Sequence, residues 1–123
     1  MHVHHTEKNS TNQKNHTMDI CIENCLNSFK ACEEALTRCF ATVGHSNLKY
    51  MKLLMECAAI CNISAKFMMM NSKFHHDICG VCAKICLECA DSCEVLNDES
   101  MNECGEACRK CAETCAEMAK MPH

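Results

Sequence analysis

The sequence predicts an all-α protein, an antiparallel up-down-up-down four-helix bundle with a cysteine-lined core. Its 123 residues include 15 cysteines, which recur mainly at intervals of 3 and 4 residues. The densest runs are Cys79, Cys82, Cys86, Cys89 and Cys93, followed by Cys104, Cys108, Cys111 and Cys115. This spacing averages ~3.5 residues, the repeat of inward-facing positions in a helical bundle. Because short polar links separate the helical segments, neighbouring helices are expected to run antiparallel.

A polar tail that contains histidines precedes the cysteine-rich part, over residues 1–16. Since this stretch has almost no apolar side chain to bury, we expect a disordered or extended arm there and assign residues 17–121 to the bundle. The histidines of the tail are His2, His4, His5 and His16. They suit a solvated segment, with a loose metal-capture site as the alternative.

The first two helices are predicted over about 18–41 and 47–70. Thr17 is the expected N-cap of the first helix and Ser46 that of the second, because each hydroxyl residue comes just before a helical pattern. The cysteines assigned to their inner faces are Cys21, Cys25, Cys32 and Cys39 in the first helix and Cys57 and Cys61 in the second.

The third helix is predicted over about 74–96, and the fourth begins at the S-x-x-E capping box of residues 100–103 and continues to about Lys120. Gly80 and Gly105 each follow a cysteine within these helices. A glycine inside a helix costs ~1 kcal/mol relative to alanine. A close approach of two helices would explain both glycines.

Composition argues against several classes of function. The formal charge of −4 is unlike that of a nucleic-acid-binding surface, and no apolar run approaches the ~18 residues of a membrane span. The polar start, Met1 to Ser10, has no signal region, so a cytoplasmic location is expected, with export after removal of a signal peptide as the alternative. The protein is not expected to be an enzyme, because its many equivalent thiols include no distinct, exposed CxxC pair.

The thiols indicate metal binding rather than a disulfide scaffold. Their number is odd, and helix neighbours at i,i+3 or i,i+4 have Cβ atoms ~5–6 Å apart, beyond the ~3.5–4.5 Å of a disulfide. Zinc and iron–sulfur sites usually hold their CxxC pairs in loops or turns. Cu(I) binds two or three thiolates and suits a column of them best. Equal numbers of Cu⁺ and thiolate cancel in charge, which favours burial.

Helices filled with CxxC and CxxxC pairs, a His-bearing tail and Met residues near one end resemble the bacterial copper storage proteins, the cysteine-rich four-helix-bundle copper-binding family. The resemblance extends over about 18–118. It implies storage of many Cu(I) ions inside the bundle, a homotetramer, and either a cytosolic or an exported protein. The copper ligands that it implies are Cys21, Cys25, Cys32, Cys39, Cys57, Cys61, Cys79, Cys82, Cys86, Cys89, Cys93, Cys104, Cys108, Cys111 and Cys115.

The resemblance also implies one bundle end with Met or His residues through which copper passes. The candidates by position are His45, Met51 and Met55. The two methionines are expected to share a helix face and to continue the line of the cysteines of the second helix outward. Core packing is the alternative role of these methionines.

Two other functions remain open. A copper chaperone or sensor would pass copper to an accepting protein and needs only one or two ions, and a zinc-thiolate protein would hold a different metal. The number of metal ions bound separates a store from both. No partner is expected beyond copper ions, other copies of the chain and a copper-accepting protein.

Overall fold

The computed structural model describes residues 5–41, 47–96 and 98–122, with the backbone alone for 5–14. Its helices are α1 (His5–Ala41), α2 (Leu48–Met69), α3 (His75–Leu96) and α4 (Glu99–Lys120). No β-strand occurs within these three ranges. The predicted all-α class is therefore confirmed. Apart from the start of α1, the predicted helix ends lie within one or two residues of the observed ones.

The N-terminal segment differs most from the prediction. Residues 5–16, expected to be disordered or extended, are the beginning of α1, and Thr17 lies inside this helix rather than at its N-cap. A polar composition removes core contacts, but extending an existing helix costs far less than nucleating a new one. His5 belongs to α1, whereas His2 and His4 lie outside the described residues. The division of the chain at residue 16 stays a prediction.

Side-chain caps begin α2 and α4, at positions that differ from the expected ones. Asn47 caps α2 by accepting a hydrogen bond of 3.0 Å from the backbone amide of Tyr50. The expected cap, Ser46, lies outside the described residues. Asp98 caps α4 by accepting a hydrogen bond of 2.9 Å from the backbone amide of Ser100. The predicted capping box is wrong, because the aspartate two residues earlier already satisfies the start of the helix.

Each helix packs against two neighbours, α1 against α2 and α4, and α3 against the same two. Sulfur contacts show the direction of α1 and α4. Cys21 meets Cys115 at one end of this pair, and Cys32 meets Cys104 further along, so the numbering falls along α4 as it rises along α1. Helices α2 and α3 also run in opposite directions, because Cys57 meets Cys86 whereas Ser64, further along α2, meets Cys79. The helices therefore form the predicted antiparallel bundle.

The inner faces of the helices keep the 3-and-4 spacing even where the residue is not cysteine. The buried positions include Cys21, Cys25, Ser28, Cys32, Ala35 and Cys39 in α1, and Tyr50, Leu54, Cys57, Cys61, Ser64 and Met68 in α2. In α4 they include Met101, Cys104, Cys108, Cys111, Cys115 and Met118. The core is thus a stack of thiols with larger side chains towards the two ends of the bundle.

Helices α3 and α4 approach closely at Gly105. A Cβ atom on this residue would lie 3.0 Å from the Cβ of Cys93 and 3.5 Å from the carbonyl oxygen of Ala90. At Gly80 the nearest atom would be the Cβ of Ala119 at 3.7 Å, an ordinary van der Waals contact. The expected close approach of helices explains Gly105 and does not explain Gly80.

Candidate metal centre

Every cysteine of the chain is buried and carries a free thiol. The relative exposure is 6% for Cys39 and at most 1% for the others. Cysteine is compatible with a dry core because it packs as a small apolar side chain. The prediction that the helical spacing turns the thiols into the core is confirmed.

Most of the sulfur atoms fall into four groups, in each of which the Sγ atoms all lie within 4.8 Å of one another. The groups are Cys32, Cys57, Cys89 and Cys108; Cys61, Cys82, Cys86 and Cys111; Cys25, Cys82, Cys111 and Cys115; and Cys21, Cys79 and Cys115. The last three groups share members, since Cys82, Cys111 and Cys115 each belong to two of them. These groups therefore form one continuous array.

Direct sulfur contacts join the group that contains Cys32 and Cys57 to this array, and join Cys104 to that group. Cys57 Sγ lies 3.6 Å from Cys86 Sγ, and Cys32 Sγ lies 3.8 Å from Cys104 Sγ. These separations far exceed the ~2.05 Å of a disulfide bond, so the thiols are neighbours without being bonded. We call the four groups, together with Cys93 and Cys104, the sulfur column.

Two serine hydroxyls lie in the wall of the sulfur column. Ser28 Oγ accepts a hydrogen bond of 3.3 Å from the Cys61 thiol and donates one of 3.4 Å to Cys108 Sγ. Ser64 Oγ lies 3.4 Å from Cys79 Sγ. The sequence prediction did not include these serines, although each lies three residues after a cysteine of its own helix. Continuing the 3-and-4 spacing through other small residues would have identified both.

Hydrogen bonds between thiols make their protonation interdependent. The Cys111 and Cys115 thiols hold the pKa of Cys25 well below its usual range, because they can donate to a thiolate at that position. Contacts with Cys115 and Cys25 raise the pKa of Cys111. Burial raises the pKa of the Cys39 thiol. Because thiolates in such a core repel one another, cations are needed before many of them can form together.

One end of the sulfur column meets a cavity of about 460 Å³, which we call the Tyr50 cavity. It is lined by Cys39, Asn47, Tyr50, Met51, Leu96, Asp98 and Met101. The Tyr50 hydroxyl donates a hydrogen bond of 2.7 Å to Met101 Sδ and lies 3.4 Å from Cys93 Sγ. Tyr50 therefore connects the cavity with the first thiols of the column. The predicted access residue His45 lies outside the described residues.

The two methionines predicted to guide copper have different environments. Met51 is partly buried and lines the Tyr50 cavity, whereas Met55 is 53% exposed. The expectation that both continue the line of thiols is wrong. Counting back from Cys57 by 3 residues and then by 4 leads to Leu54 and Tyr50, which are both buried. Met55 directly follows Leu54 in the sequence, and Met51 directly follows Tyr50.

The donor set of the sulfur column suits Cu(I) better than zinc. Thiolates bind both metals, and a single group of four thiols could hold a tetrahedral Zn²⁺ ion. Four Zn²⁺ ions would bring eight positive charges against the 12 thiolates of the groups, which leaves buried negative charge. Cu⁺ at one ion per thiolate leaves none. Sulfur atoms shared between groups can also bridge two Cu(I) ions, each of which needs only two or three ligands.

Known proteins are similar to this chain over most of its length. Residues 14–120 match the family model described as Csp, copper storage protein. The uncharacterized cysteine-rich protein YhjQ of Bacillus subtilis (strain 168) is 38% identical over 76 residues, which cover 61% of this chain and 70% of the relative.

Solved structures share the four-helix fold. Apo copper storage protein 3 from Bacillus subtilis is 37% identical, with a TM-score of 0.77 over 82% of this chain and 97% of that one. The Cu(I)-bound copper storage protein BsCsp3 is 36% identical, with a TM-score of 0.79 over 84% and 98% of the two chains. A cytosolic copper storage protein from Streptomyces lividans, with five coppers, is 26% identical, with a TM-score of 0.83 over 91% and 99%.

Proposed function

Because the chain belongs to the copper storage protein family, we propose that it stores Cu(I) in its sulfur column, on the order of one ion per cysteine. The observation that carries this proposal is the contact between buried thiols of all four helices, without an interruption by apolar side chains between the groups. A chaperone that carries one or two ions has no need for so long an array. Storage of many ions requires such an array.

Charge balance explains how the core takes up copper without losing its fold. A protonated thiol is neutral, and a thiolate paired with Cu⁺ is neutral as well. The exchange of one proton for one Cu⁺ at each thiol therefore keeps the buried charge near zero, and no unpaired charge is left in the core. Shared sulfur atoms such as those of Cys82 and Cys111 allow neighbouring ions to use the same ligands.

The Tyr50 cavity is the route by which we propose that copper reaches the column. The Met51 and Met101 side chains at this cavity offer neutral thioether sulfur, a soft ligand for Cu(I). The Tyr50 hydroxyl contacts both Met101 and Cys93, so an ion that leaves the methionine is already next to a column thiol. His45 stays a predicted access residue.

The proposal also covers location and assembly. None of the helices in the described ranges is long and apolar enough to cross a membrane. We place the protein in the cytoplasm, because the similar protein from Streptomyces lividans is cytosolic. We expect a homotetramer, for which exposed apolar side chains such as Phe40 and Leu48, each 69% exposed, provide contact surface. A copper-accepting protein and a non-catalytic role complete the proposal.

Titration of the reduced protein with Cu(I) against a chromogenic chelator tests the proposal, with zinc run in parallel. We expect uptake on the order of one Cu(I) per cysteine before the chelator competes. Saturation at about one to four ions would instead indicate a chaperone, a sensor or a zinc site. Light scattering of the apo and copper-loaded protein measures the oligomeric state.

A further inference from the structure

One of the four thiol groups shares no sulfur atom with the others. It consists of Cys32, Cys57, Cys89 and Cys108, and we call it the Cys108 group. Each of the four helices contributes one of these thiols, and all of them are fully buried. Every other group has at least one sulfur atom in common with a neighbouring group, which suits bridging between Cu(I) ions. The Cys108 group instead has four ligands that can serve a single ion.

The sulfur atoms of the Cys108 group have the spacing of a tetrahedral zinc site. Zn²⁺ binds thiolates at ~2.3 Å, and a regular tetrahedron of that size has edges of ~3.8 Å. Cys108 Sγ lies 3.6 Å from Cys32 Sγ and 3.8 Å from Cys57 Sγ. All four sulfur atoms lie within 4.8 Å of one another. A Zn²⁺ ion therefore needs only small side-chain movements to bind all four thiolates.

The surroundings of the Cys108 group offset the charge that zinc binding creates. One Zn²⁺ ion replaces the protons of four thiols, which leaves an excess of two negative charges in the core. The Ser28 hydroxyl donates a hydrogen bond of 3.4 Å to Cys108 Sγ. The Cys104 thiol lies 3.8 Å from Cys32 Sγ, and a thiol outside the group lies 3.6 Å from Cys57 Sγ. Three of the four ligands thus have a neighbouring hydrogen-bond donor, as metal ligands in proteins commonly do.

We propose that the Cys108 group binds one Zn²⁺ ion in the copper-poor protein and that Cu(I) displaces it during loading. Zinc at this position links all four helices and stabilises the bundle while few copper ions are present. Its displacement rests on the proposed storage function. Thiolates prefer the softer Cu(I), and four Cu⁺ ions neutralise the four thiolates that one Zn²⁺ ion leaves partly unbalanced.

Co²⁺ is a coloured substitute for Zn²⁺ that tests the site in the reduced, copper-free protein. Co²⁺ held by four thiolates in a tetrahedron absorbs strongly in the visible and near-ultraviolet, whereas Co²⁺ on an exposed histidine such as His16 is octahedral and nearly colourless. We expect the tetrathiolate spectrum to saturate at about one Co²⁺ per chain and to disappear when an equal amount of Zn²⁺ is added. Absence of this spectrum, or saturation well beyond one ion, would overturn the proposal.

Two cysteines of α3 provide matched variants, because each belongs to one group only. Cys89→Ser removes a ligand of the Cys108 group, and Cys86→Ser removes a thiol of the neighbouring group at an equally buried position. We expect Cys89→Ser to lose the cobalt spectrum and Cys86→Ser to keep it. The reverse result, or the same result in both folded variants, would reject the Cys108 group as the zinc site. Cys32→Ser replaces Cys89→Ser if the latter does not fold.

Titration of the zinc-loaded protein with Cu(I) measures the exchange of the two metals. We expect about one Zn²⁺ per chain to be released to a zinc-responsive dye before copper uptake is complete. Zinc that stays bound at full copper loading would contradict the displacement. A protein that shows the cobalt spectrum but takes up only a few Cu(I) ions would instead contradict the storage function and retain the zinc site.

Discussion

The Cys61 thiol donates a hydrogen bond of 3.3 Å to the hydroxyl of Ser28, at a position of α1 where the cysteine spacing would place another thiol. The same hydroxyl donates to Cys108 Sγ at 3.4 Å. Cys61 and Cys108 belong to different groups of the sulfur column. Ser28 therefore lies at the junction of two groups, where it supplies hydrogen bonds but no soft ligand.

Replacing Ser28 with cysteine should increase the copper capacity. Ser28→Cys adds a thiol beside Cys61 and Cys108, and we expect about one more Cu(I) per chain in the chelator titration. Ser28→Ala is the control, which should keep the parent capacity and lose about 1 kcal/mol of apo stability with the hydrogen bonds of the hydroxyl. An unchanged capacity of Ser28→Cys would show that this position cannot supply a copper ligand.

The two helix glycines should respond differently to an added methyl group. Gly105→Ala would place a Cβ atom 3.0 Å from the Cβ of Cys93, which the backbone of α3 holds in place. Gly80→Ala meets only an ordinary contact at 3.7 Å. Because the gain in helix propensity is common to both, we expect Gly105→Ala to be less stable than Gly80→Ala by about 1–3 kcal/mol in denaturant unfolding. Equal stabilities would show that α3 and α4 can separate without cost.

The methionines of α2 allow a matched test of the copper route. Met51→Leu removes a thioether from the Tyr50 cavity, whereas Met55→Leu removes one from an exposed position on the same helix. Since leucine has nearly the same volume, both variants should fold as the parent does. We expect slower copper loading for Met51→Leu alone, at unchanged capacity, in stopped-flow mixing with a Cu(I) donor. Equal loading rates in both variants would reject the Tyr50 cavity as the route.

Copper affinity should decrease as the pH falls. Burial raises the pKa of Cys39, and hydrogen bonding with Cys115 and Cys25 raises that of Cys111, so these thiols keep their protons at neutral pH. Each Cu⁺ bound there must displace a proton, and acid favours the protonated apo form. We expect up to about a tenfold loss of apparent affinity per pH unit for each proton displaced. Competition with a chelator whose own affinity is constant over the same range measures this dependence, and an affinity that rises towards acid would contradict it.

Much of the bundle is predictable from local spacing. The direction of a side chain on a helix follows from its residue number, so the intervals between cysteines suffice to show that Cys79 or Cys115 faces the core. The same reasoning was misapplied at Met51 and Met55, where the spacing of the two methionines from each other was used in place of the count from Cys57. It also failed for residues 5–16, because a polar composition indicates missing core contacts and does not indicate a missing helix.

The sequence by itself determined the helices, the inward direction of the thiols and the preference for a soft metal, because each of these depends on residue type and spacing within one helix. Only the tertiary structure decided which thiols meet, such as Cys25 with Cys111 and Cys115, and that Tyr50 joins Met101 to Cys93. These contacts depend on how far one helix is shifted along another. That shift is set by packing between residues far apart in the chain, at places such as Gly105, and no local spacing encodes it.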